Sequence, residues 1–282
     1  MFSRQWLCCN DSVGWIPCVN NFYAHESAKC IIEKGKKSTR QRKIKDIEEK
    51  LEQFTQYMVE VPEEQKGKWS EFFGNDHPIY LEIGCGKGQF ITEHARRNPD
   101  CNYIAIEGQD SVIWRALQKV ERMELTNLCF IKKYIDDIRD FFADGELEGL
   151  YLNFSDPWPK ERHAKRRLTY HKKLRQYAQI VKADGHVEFK TDNEGLFEFT
   201  LEQIEEAEMT ILEMSRDLHN SPYAEKNIPT EYEDKFSQKG KNINYESMKA
   251  WYGESPYRLF LFVLDCFKGN IIHWVAKFAI FV

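Results

Sequence analysis

The stretch Ile79-Tyr80-Leu81-Glu82-Ile83-Gly84-Cys85-Gly86-Lys87-Gly88 decides the fold. Its first five residues read as a strand, and the three alternating glycines as a tight turn. A helix is expected from Gly88 to about Arg97. The same unit then recurs down the chain. Residues 103–106, 128–131, 150–154 and 186–190 read as further strands. Helical spacing fills 111–123, 135–142, 170–181 and 194–207. Strand and helix in strict alternation predict an α/β fold: a mostly parallel, twisted sheet with helices on both faces. Residues 210–214 and 243–248 read as two more strands around a long polar loop, giving an antiparallel pair at one edge. Upstream, Ile44, Ile47, Leu51, Phe54 and Met58 follow helical spacing, and Trp69, Phe72 and Phe73 form a second short helical face.

In an open α/β sheet, ligands sit beyond the carboxyl ends of the strands, where strand order reverses. The residues delivered there are acidic. The first strand brings Glu82 and the Gly84, Gly86, Gly88 turn; the second brings Glu107, the fourth Asp156 and the fifth Asp192. Any one such acid also serves as a helix cap, but four at one rim point to a shared site. The turn is G-x-G-x-G, and Gln89 stands where a dinucleotide fingerprint places its third glycine, which argues against a nucleotide-dependent oxidoreductase. A carboxylate-lined pocket repels pyrophosphate and suits a cationic nucleoside, with Glu107 accepting from two ribose hydroxyls. S-adenosylmethionine, which carries a sulfonium and an ammonium, has that charge.

The fourth strand leads into SDPWPKERHAKRRLTY (155–170), where an acid and two prolines give way to Lys160, Arg162, His163, Lys165, Arg166 and Arg167. The whole chain has a net charge of −5, so a polyanion must be gripped by such local patches. Cations directly after the loop suit phosphates flanking a target nucleotide. A second basic run, 34–45, is a candidate N-terminal arm. The eight cysteines include no C-x-x-C pair, so no metal site is expected, and scattered single cysteines fit a reducing cytoplasm. No signal peptide is read at the N-terminus. The apolar tail is broken by Asp265, Lys268 and Lys277, short of a membrane span.

LEIGCGKGQF, YIAIEGQD, YLNFSDPWPKERHAKRRLT, EFKTDNEGLFEFTLE and TEYEDKF resemble, in order and spacing, the motifs of the bacterial tRNA (guanine-N7-)-methyltransferase family. The resemblance spans roughly residues 40–249. It implies a Rossmann-like class I methyltransferase fold, S-adenosylmethionine as donor, and methylation of a variable-loop guanosine (position 46) in tRNA. It implies donor contacts at Glu82, Glu107 and Asp156, with Asp156 also catalytic by positioning. It implies substrate contacts at Lys160, Asp192, Thr230, Glu231, Tyr232 and Glu233. One position departs: Tyr134 stands where the family places an Asp or Asn against the adenine. The expected organisation is an N-terminal extension (1–39), a methyltransferase domain (40–250) and an apolar tail (251–282). Monomer and homodimer both remain open. Two other readings are a small-molecule methyltransferase, which leaves the six cations unexplained, and a tRNA-binding module whose donor pocket is impaired at Tyr134.

Overall fold

The computed structural model describes residues 44–250. The basic run up to Lys43, the first four and the last of the cysteines, and the apolar tail lie outside them. Seven strands form one sheet: β1 (Ile79–Ile83), β2 (Asn102–Ile106), β3 (Leu128–Ile131), β4 (Leu147–Asn153), β5 (Val181–Thr191), β6 (Met209–Ser215) and β7 (Asn244–Ala250). Their order is β3-β2-β1-β4-β5-β7-β6. The first five run parallel, and β7 is antiparallel to both β5 and β6. The chain winds outward from β1 to β3, then returns to place β4 against β1's other edge. That reversal opens a crevice beyond the carboxyl ends of β1 and β4. No helix among the described residues is long and apolar enough to cross a membrane.

The helices are α1 (Ile47–Glu52), α2 (Trp69–Phe73), α3 (Gln89–Arg97), α4 (Asp110–Met123), α5 (His171–Ile180), α6 (Glu194–Glu206) and α7 (Glu231–Ser237). Strand periodicity of two sorts the β2 side chains between the two faces. Tyr103 and Ala105 pack with Ile91, Ile113, Leu117 and Val120 of α3 and α4. Ile104 and Ile106 face the other way, into the core completed by Leu174 and Ile180 of α5 and Phe197 and Ile204 of α6. Both faces are dry, which is why the strands carry apolar residues at successive positions.

Three expectations need correction. The apolar spacing from Ile44 to Met58 does not make one helix: α1 ends at Glu52, a 3-10 turn spans Thr55–Tyr57, and Met58 bridges to Phe130 of β3. The Val59 amide donates to the Phe130 carbonyl at 2.9 Å, so a sheet-edge contact overrides the helical spacing. Residues 135–142 hold only a 3-10 turn, Ile138–Asp140. There Asp137 accepts from the Arg139 amide and from its guanidinium, closing a local loop that competes with helix. The polar loop before β7 contains α7, whose start is a capping box: the Thr230 hydroxyl accepts from the Glu233 amide while the Glu233 carboxylate accepts from the Thr230 amide.

One buried acid has a measurable consequence. Glu246 of β7 is 0% exposed and neither carboxyl oxygen has a hydrogen-bond partner. Burial pushes its pKa up to about 8; nearby Glu198 adds to the shift and Arg216 opposes it. The folded state therefore holds this proton more tightly than the unfolded chain, and stability falls as pH rises from about 4.5 to about 8. Glu246→Gln is expected to stabilise the protein at pH 8.5, on the order of a few kcal/mol, and to change little at pH 5. Thermal melts at the two pH values check this. An equal shift at both would assign the effect to packing instead.

Candidate active site

Beyond the carboxyl ends of β1 to β4 lies a cavity of about 380 Å³, within the usual size range of small-ligand sites. Gly84, Glu107 to Gln109, Lys133 to Ile135, Asn153 to Asp156, Trp158, Leu168 and Lys173 contribute to its lining. The glycine turn explains how the floor stays open. Gly84 has φ +77°, its amide donates to the Ile106 carbonyl at 2.8 Å, and an added Cβ would meet nothing within 4 Å. A ligand can therefore approach bare backbone there. Gly88 serves another purpose. A Cβ on it would stand 2.7 Å from that of Ala116, so this glycine lets α3 pack against α4.

The acids are held in different ways. Glu107 accepts from the Gly86 amide at 3.1 Å and from the Gln109 amide at 3.0 Å. Burial raises its pKa, the backbone donors work against that, and the charge of Asp156 adds to it. Asp156 is exposed on the cavity wall. Glu82 is only 1% exposed and sits beneath the cavity, where Oε1 accepts from Asn153 Nδ2 at 2.8 Å. Its Oε2 is buried without a partner, as is Ser155 Oγ. Burial pushes the Glu82 carboxyl up to about 7, against the Asn153 hydrogen bond and the charge of Lys190. Tyr134 is 80% exposed, with its ring lying over Gly108, where a Cβ would come within 2.5 Å of it.

The expected rim of four acids is thus redistributed. Glu107 and Asp156 line the cavity directly, and Glu82 reaches it through Asn153. Asp192 stands apart: it takes an ion pair from Lys241 at 2.9 Å and lies 3.5 Å from the Tyr232 hydroxyl. Tyr232 packs its ring 5.0 Å from that of Phe154 and 4.2 Å from that of Phe236, beside the end of β4. Glu231 pairs with Lys87 and Lys119, strapping α7 to the glycine turn and α4. Thr230 is occupied in capping α7. Glu233, expected as a substrate contact, is 0% exposed, and its carboxylate is taken up by Lys190 at 3.0 Å, His219 at 2.8 Å and Asn227 at 2.5 Å. Those cationic and amide donors hold its pKa down despite burial.

The basic run also divides. Lys160, Arg162, Lys165 and Arg166 are exposed and form no ion pair with any described residue. Arg166 also lies over the ring of Trp158, at 4.9 Å. Arg167 instead turns inward, donating to the carbonyls of Pro157 and Trp158.

Comparison with known proteins gives the family of the chain. Residues 76–245 match a family model described as a putative methyltransferase. A tRNA (guanine-N(7)-)-methyltransferase from Bacillus cytotoxicus is 51% identical over 195 residues, covering 69% of this chain and 89% of that protein. One from Lachnoclostridium phytofermentans is 52% identical over 188 residues, covering 67% and 88%. The chain belongs to the tRNA (guanine-N7-)-methyltransferase family. A solved structure titled an antibiotic related methyltransferase shares the fold, with a TM-score of 0.53 at 15% identity, covering 69% of this chain and 97% of that one.

As a member of this family, the chain has residues that fit a sulfonium nucleoside donor. The backbone over Gly84 is open, and Glu82 Oε2, at the end of the preceding strand, is buried without a hydrogen-bond partner, as an acceptor for a donor's ammonium group would be before it binds. Several lining residues lie outside the set that the sequence points to. Asn153 and Ser155 flank Phe154 at the start of the SDPWP motif and could have been read from β4's end. Leu168 and Lys173 could not, since they reach the cavity only because no full helix follows β3 and α5 packs against the 3-10 turn there. Partial burial lowers the pKa of Lys173.

Proposed function

We propose that this protein transfers the methyl group of S-adenosylmethionine to N7 of a guanine in tRNA, at the variable-loop guanosine (position 46). The observation that carries the reading is a cavity lined by Glu107 and Asp156, with Lys133, Arg166 and Lys173 also on its wall, whose rim leads directly into exposed cations on residues 160–166 that form no ion pair with any described residue. A small-molecule methyltransferase has no use for those charges. A tRNA substrate makes the protein cytoplasmic.

When bound, the donor supplies an electrophilic methyl group on a sulfonium. The residues of the chain do the rest by holding and aligning. Glu107, fixed by two backbone amides, offers its remaining lone pairs to two ribose hydroxyls. Glu82 Oε2 accepts from the donor's ammonium. Tyr134 stands beside the adenine. Guanine N7 has a lone pair and no proton, so no residue has to act as a base. Asp156 accepts from guanine N1–H and N2–H, locking the base with N7 facing the methyl group. Carboxylates close by also favour the positive charge that develops on the purine. Lys160 and its neighbours bind flanking phosphates, while Asp192 and Tyr232 lie along the substrate's path.

Incubating the protein with labelled donor and unmodified tRNA, then mapping the product, tests the reading. Label on N7 of guanosine 46 is expected; transfer to another atom, or to no RNA, overturns it. Lys160→Ala is expected to weaken tRNA binding and to lower the slope of log Kd against log salt by up to about one. An unchanged slope would take Lys160 off the phosphate path.

A further inference from the structure

We propose that Arg167, the last cation of the basic run, is a positioning residue for the Asp156 loop and not a phosphate contact. The inference rests on the function proposed above only for the role of Asp156. The loop needs an external brace. Phe154 has φ +50° and Trp158 φ +41°, so two non-glycine residues in the left-handed region bracket Ser155, Asp156 and Pro157. Such backbone persists only where its surroundings over-determine it. The last sheet bond is the Phe154 amide to the Lys190 carbonyl at 2.8 Å. Pro157 and Pro159 have no amide proton to give.

Arg167 supplies what the backbone lacks. Its Nε donates to the Pro157 carbonyl at 2.9 Å and its Nη2 to the Trp158 carbonyl at 3.1 Å. Among the described residues these are the only hydrogen bonds that residues 155–159 make. The guanidinium is itself fixed, 4.1 Å from the ring centroid of Phe199 on α6. A planar fork on two successive carbonyls, stacked on an aromatic ring, cannot be reproduced by a lysine. Arg167 therefore ties the strained loop to α6 and sets where Asp156 stands on the cavity wall. The exposed cations of the run are left for the nucleic acid.

The test compares Arg167→Lys and Arg167→Ala with Arg162→Ala. For both Arg167 variants, kcat is expected to fall about ten- to a hundredfold, with tRNA Kd and its salt slope unchanged. For Arg162→Ala the slope should drop by about one. Added guanidinium ion should restore part of the kcat of Arg167→Ala without altering tRNA affinity. Hydrogen exchange of the Phe154 amide, which donates to the Lys190 carbonyl at the base of the loop, should speed up in both Arg167 variants, with no tRNA or donor present. A reduced salt slope with kcat intact would overturn the proposal, and so would unchanged exchange of that amide. Should Arg167→Ala fail to fold, the lysine variant carries the kcat, salt-slope and exchange arms. If the parent protein does not methylate tRNA, the functional reading fails, and the exchange measurement still decides the role of Arg167.

Discussion

Asp156→Ala is expected to lower kcat for tRNA methylation by about two orders of magnitude or more while leaving tRNA affinity within about threefold of the parent. The asymmetry follows from how the site divides its work. On the proposed function, affinity comes from the exposed cations on residues 160–166, and these are untouched by the change. Alignment comes from the carboxylate on the cavity wall. Removing it leaves the base free to rotate about its glycosidic bond, so N7 meets the methyl group in a small fraction of bound complexes. Asp156→Asn keeps one acceptor and one face of the pair, and its kcat should lie between the two. Single-turnover rates, with tRNA binding measured separately, check this. Near-normal turnover in the alanine variant would remove Asp156 from the reaction. A parallel loss of affinity and rate would make it an ordinary binding contact.

The parallel sheet could be read from the sequence because its strands are dry on both faces. Ile104 and Ile106 meet α5 and α6 while Tyr103 and Ala105 meet α3 and α4, and apolar residues at every position are the mark of that arrangement. The glycine turn was legible for a similar reason, since positive φ and close approach leave few residue types able to serve. What escaped was set by partners far along the chain. Glu233 looks like one more surface acid in TEYEDKF. It is buried because Lys190, 43 positions earlier, needs a counter-charge inside the sheet's edge. Arg167 looks like one more cation in a run of them, and only the position of two carbonyls and of Phe199 sets it apart. Residues 135–142 have the apolar spacing of a helix, yet Ile138, Phe141 and Phe142 bury themselves from a turn. The gap left by that missing helix gives the cavity its outer wall of Leu168 and Lys173.

Glu82→Gln should weaken S-adenosylmethionine binding by about a hundredfold and abolish its pH dependence below neutrality. In the donor-free protein the Glu82 carboxyl is pushed up to about 7 by burial. A donor ammonium prefers the carboxylate, so in the parent protein Kd should tighten as pH rises from 5.5, by nearly tenfold per unit, and flatten above about 7. Glutamine has no charge to gain and should give a flat profile. Methylthioadenosine, which lacks the amino-acid portion, should bind parent and variant alike, confining the loss to the ammonium contact. The same residue acts on stability with the opposite sign. Because the folded pKa lies above the unfolded one, Glu82 favours the folded state while it is protonated, and this is lost as pH rises from about 4.5 through about 7. The donor-free Glu82→Gln protein should therefore melt higher than the parent at pH 8, as Glu246→Gln should, but only the Glu82 variant should bind the donor poorly. A site that destabilises its own scaffold until the ligand arrives is a familiar trade between activity and stability. A variant that bound the donor with parental affinity at pH 8 would show that Oε2 faces no ammonium, and that its burial is a structural accident of β1.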